Sequence, residues 1–311
     1  MKKNILVVGS LNIDLVTELQ SMPAMGETVI GTQLQYIPGG KGANQACSVG
    51  KLGGLVKILG CIGDDEFGHI QIEALKSSFV NTDFLKIRED SKTGTALIYI
   101  TREGNNSIIV IPGANLACNT EYLKQADQLF QECDIVLLQM EIPHDAIYYA
   151  INRAKELNKV VILNPAPAPN AIPDDILSKI DFLIPNESEI QRLVQGTELD
   201  LESMENATNY FLRKGVGNVI VTLGERGALY ANGEKVSIHP VRKVVAKDTT
   251  AAGDSFIGAF AVALAEEKTS EEAIDFANLV SSVVVTEKGA QSSIPTRSTI
   301  DALAKELRAK N

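Results

Sequence analysis

Short apolar runs alternate with helix-like stretches along most of this chain, and this alternation constrains its fold more than any other feature. The apolar runs cover residues 4–9, 56–61, 134–139, 160–163, 182–184 and 218–223. Stretches with helical spacing cover residues 43–51, 66–78, 121–131, 145–157 and 202–214. Continuous apolar strands are buried on both faces, and their alternation with helices is typical of βαβ units. The sequence therefore predicts an α/β fold with a mainly parallel sheet between helices.

Two segments interrupt the alternation. Residues 13–37 contain strand-like stretches separated by Pro23 and Gly26, and a turn-rich stretch at 103–106 joins strand-like residues 95–101 and 107–111. This pattern predicts a small antiparallel sheet that stands off the main domain. The alternative is that these hairpins extend the main sheet at its edge.

Three local features complete the predicted scaffold. A hairpin with a type I′ turn at Asn232-Gly233 is predicted near residues 228–236. Two helices, over residues 271–286 and 298–310, are expected to close the chain.

The composition excludes several classes of protein. Hydrophobic residues make up 45% of the 311 residues and charged residues 22%, which is typical of a globular protein and not of a disordered one. The net charge of −10, from 29 basic and 39 acidic residues, gives no electrostatic signal for nucleic acid or an anionic membrane. The apolar runs at 5–8 and 256–265 are too short for a signal-peptide core and a transmembrane helix, respectively. We therefore expect a cytoplasmic protein.

The cysteines and histidines do not predict a metal centre. Cys47, Cys61, Cys118 and Cys133 form no Cys-x-x-Cys pair, and only three histidines accompany them. Free, buried thiols in a reducing compartment are the expected state.

Residues 248–256, with the sequence DTTAAGDSF, predict the start of a helix that can bind phosphate. Small residues leave the amides of Ala251, Ala252 and Gly253 accessible, and the helix dipole places about half a positive charge there. Asp254, in the first turn, can accept a proton from an attacking hydroxyl. The alternative is an aspartate that only stabilises the helix dipole, worth ~0.3–1 kcal/mol.

Two further segments are rich in glycine. Residues 39–45, GGKGANQ, precede a predicted helix, but they lack the spacing of a P-loop, and no dinucleotide-binding glycine loop follows a strand. The simpler interpretation of this segment is a tight turn with a solvated Lys41. Residues 222–227, TLGERG, follow a strand and by themselves predict only a turn.

Taken together, GGKGANQA at 39–46 and DTTAAGD at 248–254 resemble the paired motifs of the phosphofructokinase-B (PfkB) family of sugar kinases. The resemblance extends over nearly the whole chain through four more segments: NID at 12–14, NPAP at 164–167, PNESE at 185–189 and KGAQ at 288–291. The combination is more similar to the ribose kinases of this family than to its fructokinases or adenosine kinases. Ser255, where threonine is common in the family, is a minor departure.

The resemblance implies a fold and its division into domains. The fold is ribokinase-like, with a three-layer α/β/α core, a mainly parallel sheet and a small antiparallel β-sheet lid. The core would comprise residues 1–12, 39–91 and 112–311, and the lid residues 13–38 and 92–111.

The resemblance also implies the sugar-binding residues, which are Asn12, Asp14, Gly40, Lys41, Gly42, Ala43, Asn44, Glu141 and Asp254. The carboxylates of Asp14 and Glu141 suit pairs of hydroxyls, and Asn44 can both donate and accept hydrogen bonds. Without the resemblance, Asp14 would be a residue of a strand-end turn and Glu141 a solvated loop residue. Asp254 is implied as the general base, with Ala251, Ala252 and Gly253 forming an anion hole.

Contacts to ATP and to two metal ions are implied in the same way. The ATP set is Asn186, Thr222, Leu223, Gly224, Glu225, Arg226, Gly227, Gly253 and Asn278. Glu189 is implied as an indirect Mg²⁺ ligand, since this ion usually keeps several waters; otherwise it is an ordinary helix-surface acid. A potassium site is implied at Asp248, Thr250, Val284, Glu287, Gly289 and Ser293, and this claim depends most on the resemblance because carbonyl ligands leave no side-chain pattern.

The activity implied is ATP-dependent phosphorylation of D-ribose at its 5-hydroxyl, by a homodimer joined through the lid and without nucleic-acid or membrane partners. One alternative is a kinase of this family that acts on another sugar or a nucleoside, such as deoxyribose, fructose or adenosine. A second alternative is a non-catalytic sugar sensor on the same scaffold.

Overall fold

The structure, a computed structural model, describes residues 3–103, 106–195 and 201–310. Its strands are β1 (Asn4–Val8), β2 (Asn12–Leu19), β3 (Leu34–Gly39), β4 (Leu55–Leu59), β5 (Cys61–Gly63), β6 (Lys86–Arg88), β7 (Gly94–Thr101), β8 (Asn106–Ile111), β9 (Ile135–Leu138), β10 (Val160–Leu163), β11 (Phe182–Leu183), β12 (Asn218–Thr222), β13 (Ala228–Asn232) and β14 (Val236–His239). Its α-helices are α1 (Lys41–Lys51), α2 (Glu66–Ser77), α3 (Thr120–Gln125), α4 (Asp127–Glu132), α5 (His144–Glu156), α6 (Asp174–Leu177), α7 (Glu187–Leu193), α8 (Leu201–Arg213), α9 (Ala252–Ala265), α10 (Ser270–Val284) and α11 (Arg297–Lys310).

All the predicted apolar runs are strands of one large sheet, whose order is β14-β13-β12-β11-β10-β9-β1-β4. The strands from β12 to β4 pair in parallel, and the β13–β14 hairpin adds an antiparallel edge. Side chains alternate between the two faces of β1: Leu6 and Val8 pack with α3–α8, whereas Ile5 and Val7 pack with α1, α9 and α10. The predicted three-layer α/β fold with a mainly parallel sheet is confirmed.

The interrupting segments form a separate small sheet, with the order β3-β2-β7-β8. The alternative that they extend the main sheet is therefore wrong. The outer pairs, β2–β3 and β7–β8, are antiparallel as predicted, but the central pair, β2–β7, is parallel because both strands leave the core in the same direction. Residues 104 and 105 of the predicted turn lie outside the described residues.

Two local predictions were wrong. The helix expected over 121–131 is divided into α3 and α4 at Ala126, whose amide closes the last turn of α3. The Asn232-Gly233 turn is not type I′, because neither residue has a positive φ. Instead, Asn232 Oδ1 accepts hydrogen bonds from the amides of Glu234 and Lys235, and this local capping makes a left-handed turn unnecessary.

The fold brings the quoted motifs to one edge of the main sheet. The parallel strands β1, β9, β10 and β12 end there, and α1 and α9 begin there and pack against each other. The small sheet is joined to the same edge, since Asn12 at the start of β2 pairs with Gly39 at the end of β3. No helix in the described part of the chain has the length and apolar character needed to cross a membrane.

Candidate active site

Asp254 lies in the first turn of α9 with only 9% of its surface exposed. Its two carboxylate oxygens accept hydrogen bonds from different side chains of α1. Asn44 Nδ2 donates to Oδ2 and Gln45 Nε2 to Oδ1, each at 3.0 Å. The structure thus brings together the two main motifs, which are more than 200 residues apart along the chain.

The start of α9 presents main-chain amides next to this carboxylate. Ala251 precedes the helix in a left-handed conformation, with φ of 59°, and turns the chain into it. Of the three amides expected to form the anion hole, that of Ala252 instead donates to Thr249 O, whereas those of Ala251 and Gly253, like that of Asp254, meet no acceptor among the described residues. A Cβ added to Gly253 would meet no atom within 4 Å, so this end of the helix is open to a ligand.

The glycine segment before α1 is required by close packing. Gly40 has a φ of 85°, which is strained for other residues, and a Cβ there would lie 2.7 Å from the amide of Asn12. A Cβ on Gly42 would lie 2.6 Å from the amide of Ser10, immediately after β1. These glycines let α1 begin directly against β1 and β2, so that Asn44 faces Asp254 and Asn12 lies on the adjacent strand.

Acidic side chains surround Lys41 in this pocket. Burial raises the pKa of Asp14 to about 7, helped by the negative charges of Glu141 and Asp254 and opposed by Lys41. Burial lowers the pKa of Lys41, but the surrounding carboxylates, led by Asp254, outweigh it, so that the net shift is upward. Lys41 is therefore a partly buried cation among acids, and the solvated turn lysine of the simpler interpretation is wrong.

Three more residues of the predicted sugar-binding set lie beside these groups, namely Asn12, Asn44 and Glu141. Glu141 Oε2 accepts hydrogen bonds from Ser10 Oγ at 2.5 Å and from the amide of Lys41 at 3.1 Å, so Glu141 is held in place and is not a solvated loop residue. Asn12 Oδ1 accepts from Asn115 Nδ2 at 2.8 Å. Asn44 Oδ1 is buried without a partner in the described part of the chain, so it is an acceptor available to a hydroxyl.

A cleft of about 860 Å³ opens on the other side of the α9 start. Most of the predicted ATP residues line it, namely Thr222, Gly224, Glu225, Arg226, Gly227, Gly253 and Asn278. The other two predicted ATP residues, Asn186 and Leu223, do not line the cleft, and Leu223 is buried in the core. Asn278 Nδ2 donates to His239 O at 2.9 Å, which fixes α10 against the loop that follows β14.

Asn186 and Glu189 form a capping box at the start of α7. Asn186 Oδ1 accepts from the amide of Glu189 at 2.8 Å, and Glu189 Oε2 accepts from the amide of Asn186 at 2.9 Å. Glu189 Oε1 accepts from Asn186 Nδ2, also at 2.9 Å. Burial raises the pKa of Glu189; the charge of Lys41 lowers this pKa and that of Asp254 raises it. Each oxygen of Glu189 keeps a further lone pair, so this carboxylate can accept a hydrogen bond from a water that is bound to Mg²⁺.

Asp248 joins the two segments that carry the predicted potassium ligands. Its Oδ1 accepts from the amide and hydroxyl of Thr250, and its Oδ2 from the amide of Gly289 at 2.9 Å. Burial opposes ionisation, but these hydrogen bonds lower the pKa of Asp248. Val285 O accepts from the amides of Lys247 and Asp248. Asp248 therefore places an ionised carboxylate beside irregular main chain, and these oxygen groups are the kind of ligand that a hard cation takes.

Sequence reasoning missed several residues of the site. Hydrogen bonds around Asp254 and Glu141 are formed by Ser10, Gln45, Gln139 and Asn164. Gln45 directly follows Asn44, Gln139 and Asn164 directly follow β9 and β10, and Ser10 lies two residues after β1. In the cleft, Ser281, Ser282 and Val285 continue the face of α10 that begins at Asn278, and this helical spacing could have revealed them. The cleft residues at 240–244 lie on an irregular loop without a sequence pattern.

Comparisons with known proteins show what the whole chain is similar to. A model of the pfkB family of carbohydrate kinases matches residues 2–297. A ribokinase of Haemophilus influenzae is 38% identical over 297 residues, which cover 96% of this chain and 97% of that protein. A deoxyribokinase of Salmonella typhimurium is 36% identical and is covered to 96%. The structure of Arabidopsis thaliana ribokinase complexed with ribose and ATP matches with a TM-score of 0.92 and 34% identity, over 97% of this chain and 99% of that one.

Proposed function

The chain belongs to the pfkB family of carbohydrate kinases, and from this premise we propose that it catalyses the ATP-dependent phosphorylation of D-ribose at the 5-hydroxyl. Asp254 accepts the hydroxyl proton while the sugar oxygen bonds to the γ-phosphorus and the bond from that phosphorus to ADP breaks. The accessible amides at Ala251 and Gly253 stabilise the charge on the transferring group. Most of the rate enhancement comes from positioning and electrostatics, as is general for phosphoryl transfer.

The position of Asp254 carries this proposal. On one side its carboxylate contacts Asn44 within the polar pocket, and on the other its neighbour Gly253 lines the large cleft. A proton acceptor at the junction of a hydroxyl-binding pocket and an open helix N-terminus is the arrangement that phosphoryl transfer to an alcohol requires.

The charge of the pocket favours an uncharged sugar. Asp14, Glu141 and Asp254 face a single cation, Lys41. Carboxylates accept hydrogen bonds from pairs of hydroxyls, whereas a sugar phosphate would be repelled by three acids. The ribose named with the Arabidopsis structure and the ribokinases among the relatives support ribose as that sugar.

A sugar panel tests the substrate. ADP release would be measured with D-ribose, 2-deoxy-D-ribose, D-fructose and adenosine at matched concentrations, and D-ribose should give the highest kcat/KM. If deoxyribose, fructose or adenosine exceeds it by tenfold or more, the substrate is wrong although the family stands. Absence of sugar-dependent ADP release would instead support the sugar sensor.

The small sheet supports a lid and a dimer interface as further proposals. Residues 13–38 and 92–111 would close over the sugar and exclude water, while 1–12, 39–91 and 112–311 form the core.

The dimer interface is supported by exposed apolar side chains of the same small sheet. About half of the surface is exposed at Leu34, Tyr36 and Ile108–Ile111, and an apolar sheet of this kind is usually covered by pairing. The occupant would be the lid of a second copy, giving a homodimer. Light scattering should show about twice the monomer mass of 33.5 kDa, and a monomer at micromolar concentration would contradict the dimer.

Two metal ions and a location complete the proposal. Glu189 would hold Mg²⁺ through water beside the ATP phosphates, where the ion would neutralise phosphate charge. Potassium would bind at the Asp248 segment through Asp248, Thr250, Val284, Glu287, Gly289 and Ser293, ordering the loop that precedes α9. We assign the enzyme to the cytoplasm, an assignment supported by four free, buried cysteines.

A further inference from the structure

A chain of buried side-chain amides leads from the main sheet to Asp254. Gln139, directly after β9, donates from Nε2 to Gln45 Oε1 at 2.6 Å, and Gln45 Nε2 donates to Asp254 Oδ1 at 3.0 Å. Both glutamines are fully buried. Neither is in the sugar-binding set or lines the nucleotide cleft, so direct contact with a substrate does not account for them.

This series of hydrogen-bonded amides determines which end of the Gln45 amide faces the Asp254 carboxylate. An amide group has nearly the same shape in either orientation, and its partners decide between them. An ionised carboxylate only accepts hydrogen bonds, so Nε2 of Gln45 faces Asp254, and the donation from Gln139 to Oε1 of Gln45 stabilises the same orientation. Nε2 also approaches Asn164 Oδ1 at 3.4 Å, and the orientation of Asn164 is set by its donation to Ile184 O at 2.8 Å.

Space for this arrangement is provided at the end of β1. A Cβ on Gly9 would collide with Gln139 Oε1, so glycine is needed there for Gln139 to reach Gln45. Gln139 Oε1 has no hydrogen-bond partner in the described part of the chain. An unpaired buried acceptor is costly, so this site gives up stability to point the Gln139 nitrogen towards Gln45.

From these contacts we propose that Gln45 and Gln139 are positioning residues for the general base, a role that rests on the proposed function. Gln45 and Asn44 each bind one oxygen of Asp254, and two donors at opposite ends fix the plane of the carboxylate so that a free lone pair faces the sugar hydroxyl. An amide suits this role because it does not titrate. It cannot compete for the proton that Asp254 accepts, and it adds no charge to a pocket that already holds Asp14, Glu141 and Lys41.

The test uses Gln45→Met and Gln139→Met, since methionine keeps the unbranched shape and tolerates irregular packing. Gln45→Met should lower kcat about tenfold to a hundredfold, the fold-change expected for one hydrogen bond to a charged group. The Kd for ribose and the KM for ATP should stay within about twofold, because the groups that contact them remain. Gln139→Met should cause a smaller loss of kcat. Asp254 keeps both of its donors, but the Gln45 amide loses the hydrogen bond that holds its Oε1 and can rotate.

Double-mutant cycles separate positioning from general destabilisation. The Gln45→Met/Gln139→Met protein should be no slower than Gln45→Met alone, and Gln45→Met should cost nothing further in an Asp254→Asn background under single-turnover conditions. Asn218→Leu provides a control, because it removes partly buried hydrogen bonds of an amide side chain, to Asp181 O and from Tyr230 Oη, at the far end of β12. It should lower the Tm and leave kcat unchanged.

Several results would overturn the proposal. A Gln45→Met enzyme that keeps more than half of wild-type kcat would do so, as would losses from Gln45→Met and Asp254→Asn that multiply. If Gln45→Met does not fold, Gln139→Met still decides, because an unchanged kcat there would contradict the orienting role. Near-normal turnover by Asp254→Asn alone would overturn Asp254 as the general base. That result would be a failure of the proposed function, and it differs from a failure of the positioning role of Gln45 and Gln139.

Discussion

The polar pocket around Asp254 and the cleft of about 860 Å³ lie on two sides of the start of α9, yet they differ in the groups that they present. The pocket consists of buried, charged side chains, with Asp14 and Asp254 each 9% exposed. The cleft lining combines glycines such as Gly224 with basic and apolar side chains such as Arg242 and Phe256. The pocket is therefore mainly acidic, whereas the cleft offers basic groups and open main chain. Substitutions on the two sides should fail in different ways.

The largest effect is expected at the junction of the two regions. Asp254→Asn keeps the size of the side chain but removes the proton acceptor, and loss of a general base typically lowers the rate by ~10²–10⁴. This corresponds to ~2.7–5.4 kcal/mol of activation free energy. The binding of ribose and the Tm should change little. If Asp254 only stabilised the helix dipole, the variant would lose at most ~1 kcal/mol of stability and keep its turnover.

Within the pocket, Asp14→Ala should weaken ribose binding by ~1–3 kcal/mol because it leaves sugar hydroxyls unpaired. Its effect on the KM for ATP should be small, since Asp14 does not line the cleft. Titration calorimetry with ribose and with an ATP analogue separates the two effects. Equal weakening of both ligands would contradict the division between pocket and cleft.

Asp14 also predicts a pH dependence. Its folded-state pKa of about 7 is higher than the ordinary value of 3.8, so the folded protein binds the proton more tightly than the unfolded chain. The contribution of Asp14 to the free energy of unfolding should therefore fall as the pH rises from about 4 to about 7 and be constant above that, by an amount on the order of a few kcal/mol. Carboxyls such as Asp65 and Asp248 have lowered pKa values and act in the opposite direction. Urea unfolding of the ligand-free protein is therefore compared with that of Asp14→Asn, and the difference between the two should show this slope. Ribose hydroxyls favour the ionised form, so ribose should bind more weakly as the pH falls below 7.

On the cleft side, Gly253→Ala should affect the nucleotide and leave folding intact. The added Cβ meets no protein atom within 4 Å, and alanine in a helix is more stable than glycine by ~0.5–1 kcal/mol. The same methyl group lies where a phosphate would approach the amides, so turnover should fall by about tenfold or more while the Tm is kept or raised. Calorimetry and steady-state kinetics on one preparation test both. Unchanged turnover would place the phosphates elsewhere.

The smallest effect is expected behind the cleft, at Asp248. Potassium should raise kcat severalfold at fixed Mg²⁺-ATP because it orders the loop before α9, and it should raise the Tm by binding to the native state. Sodium and a bulky organic cation at matched ionic strength serve as controls. Equal rates in all three would exclude this site.

The contrast between the two regions also explains how much the sequence could predict. The main sheet followed from the apolar runs. Asp14, Lys41 and Asn44 could be named because they lie in segments that resemble the motifs of the family, whereas Glu141 lies in none of those segments and was implied by the resemblance alone. The cleft residues at 240–244 could not be named, because they lie on an irregular loop whose sequence shows neither helical nor strand periodicity.

Gln139 was missed for another reason. Its importance depends on a neighbour 94 residues away, and only the parallel pairing of β1 with β9 brings it close to Gln45. The parallel pairing of β2 with β7 could not be predicted from the local sequence either, because the pattern of each hairpin does not specify how two hairpins pair with each other.

Product analysis tests the central claim most directly. The enzyme would be given ATP with D-ribose or with 5-deoxy-D-ribose, which lacks only the attacking hydroxyl, and phosphorus NMR would locate the new ester. The account predicts a single phosphate on the 5-oxygen of ribose and no sugar-dependent ADP release with the deoxy analogue. A phosphate on another oxygen, or comparable turnover of the 5-deoxy sugar, would contradict it.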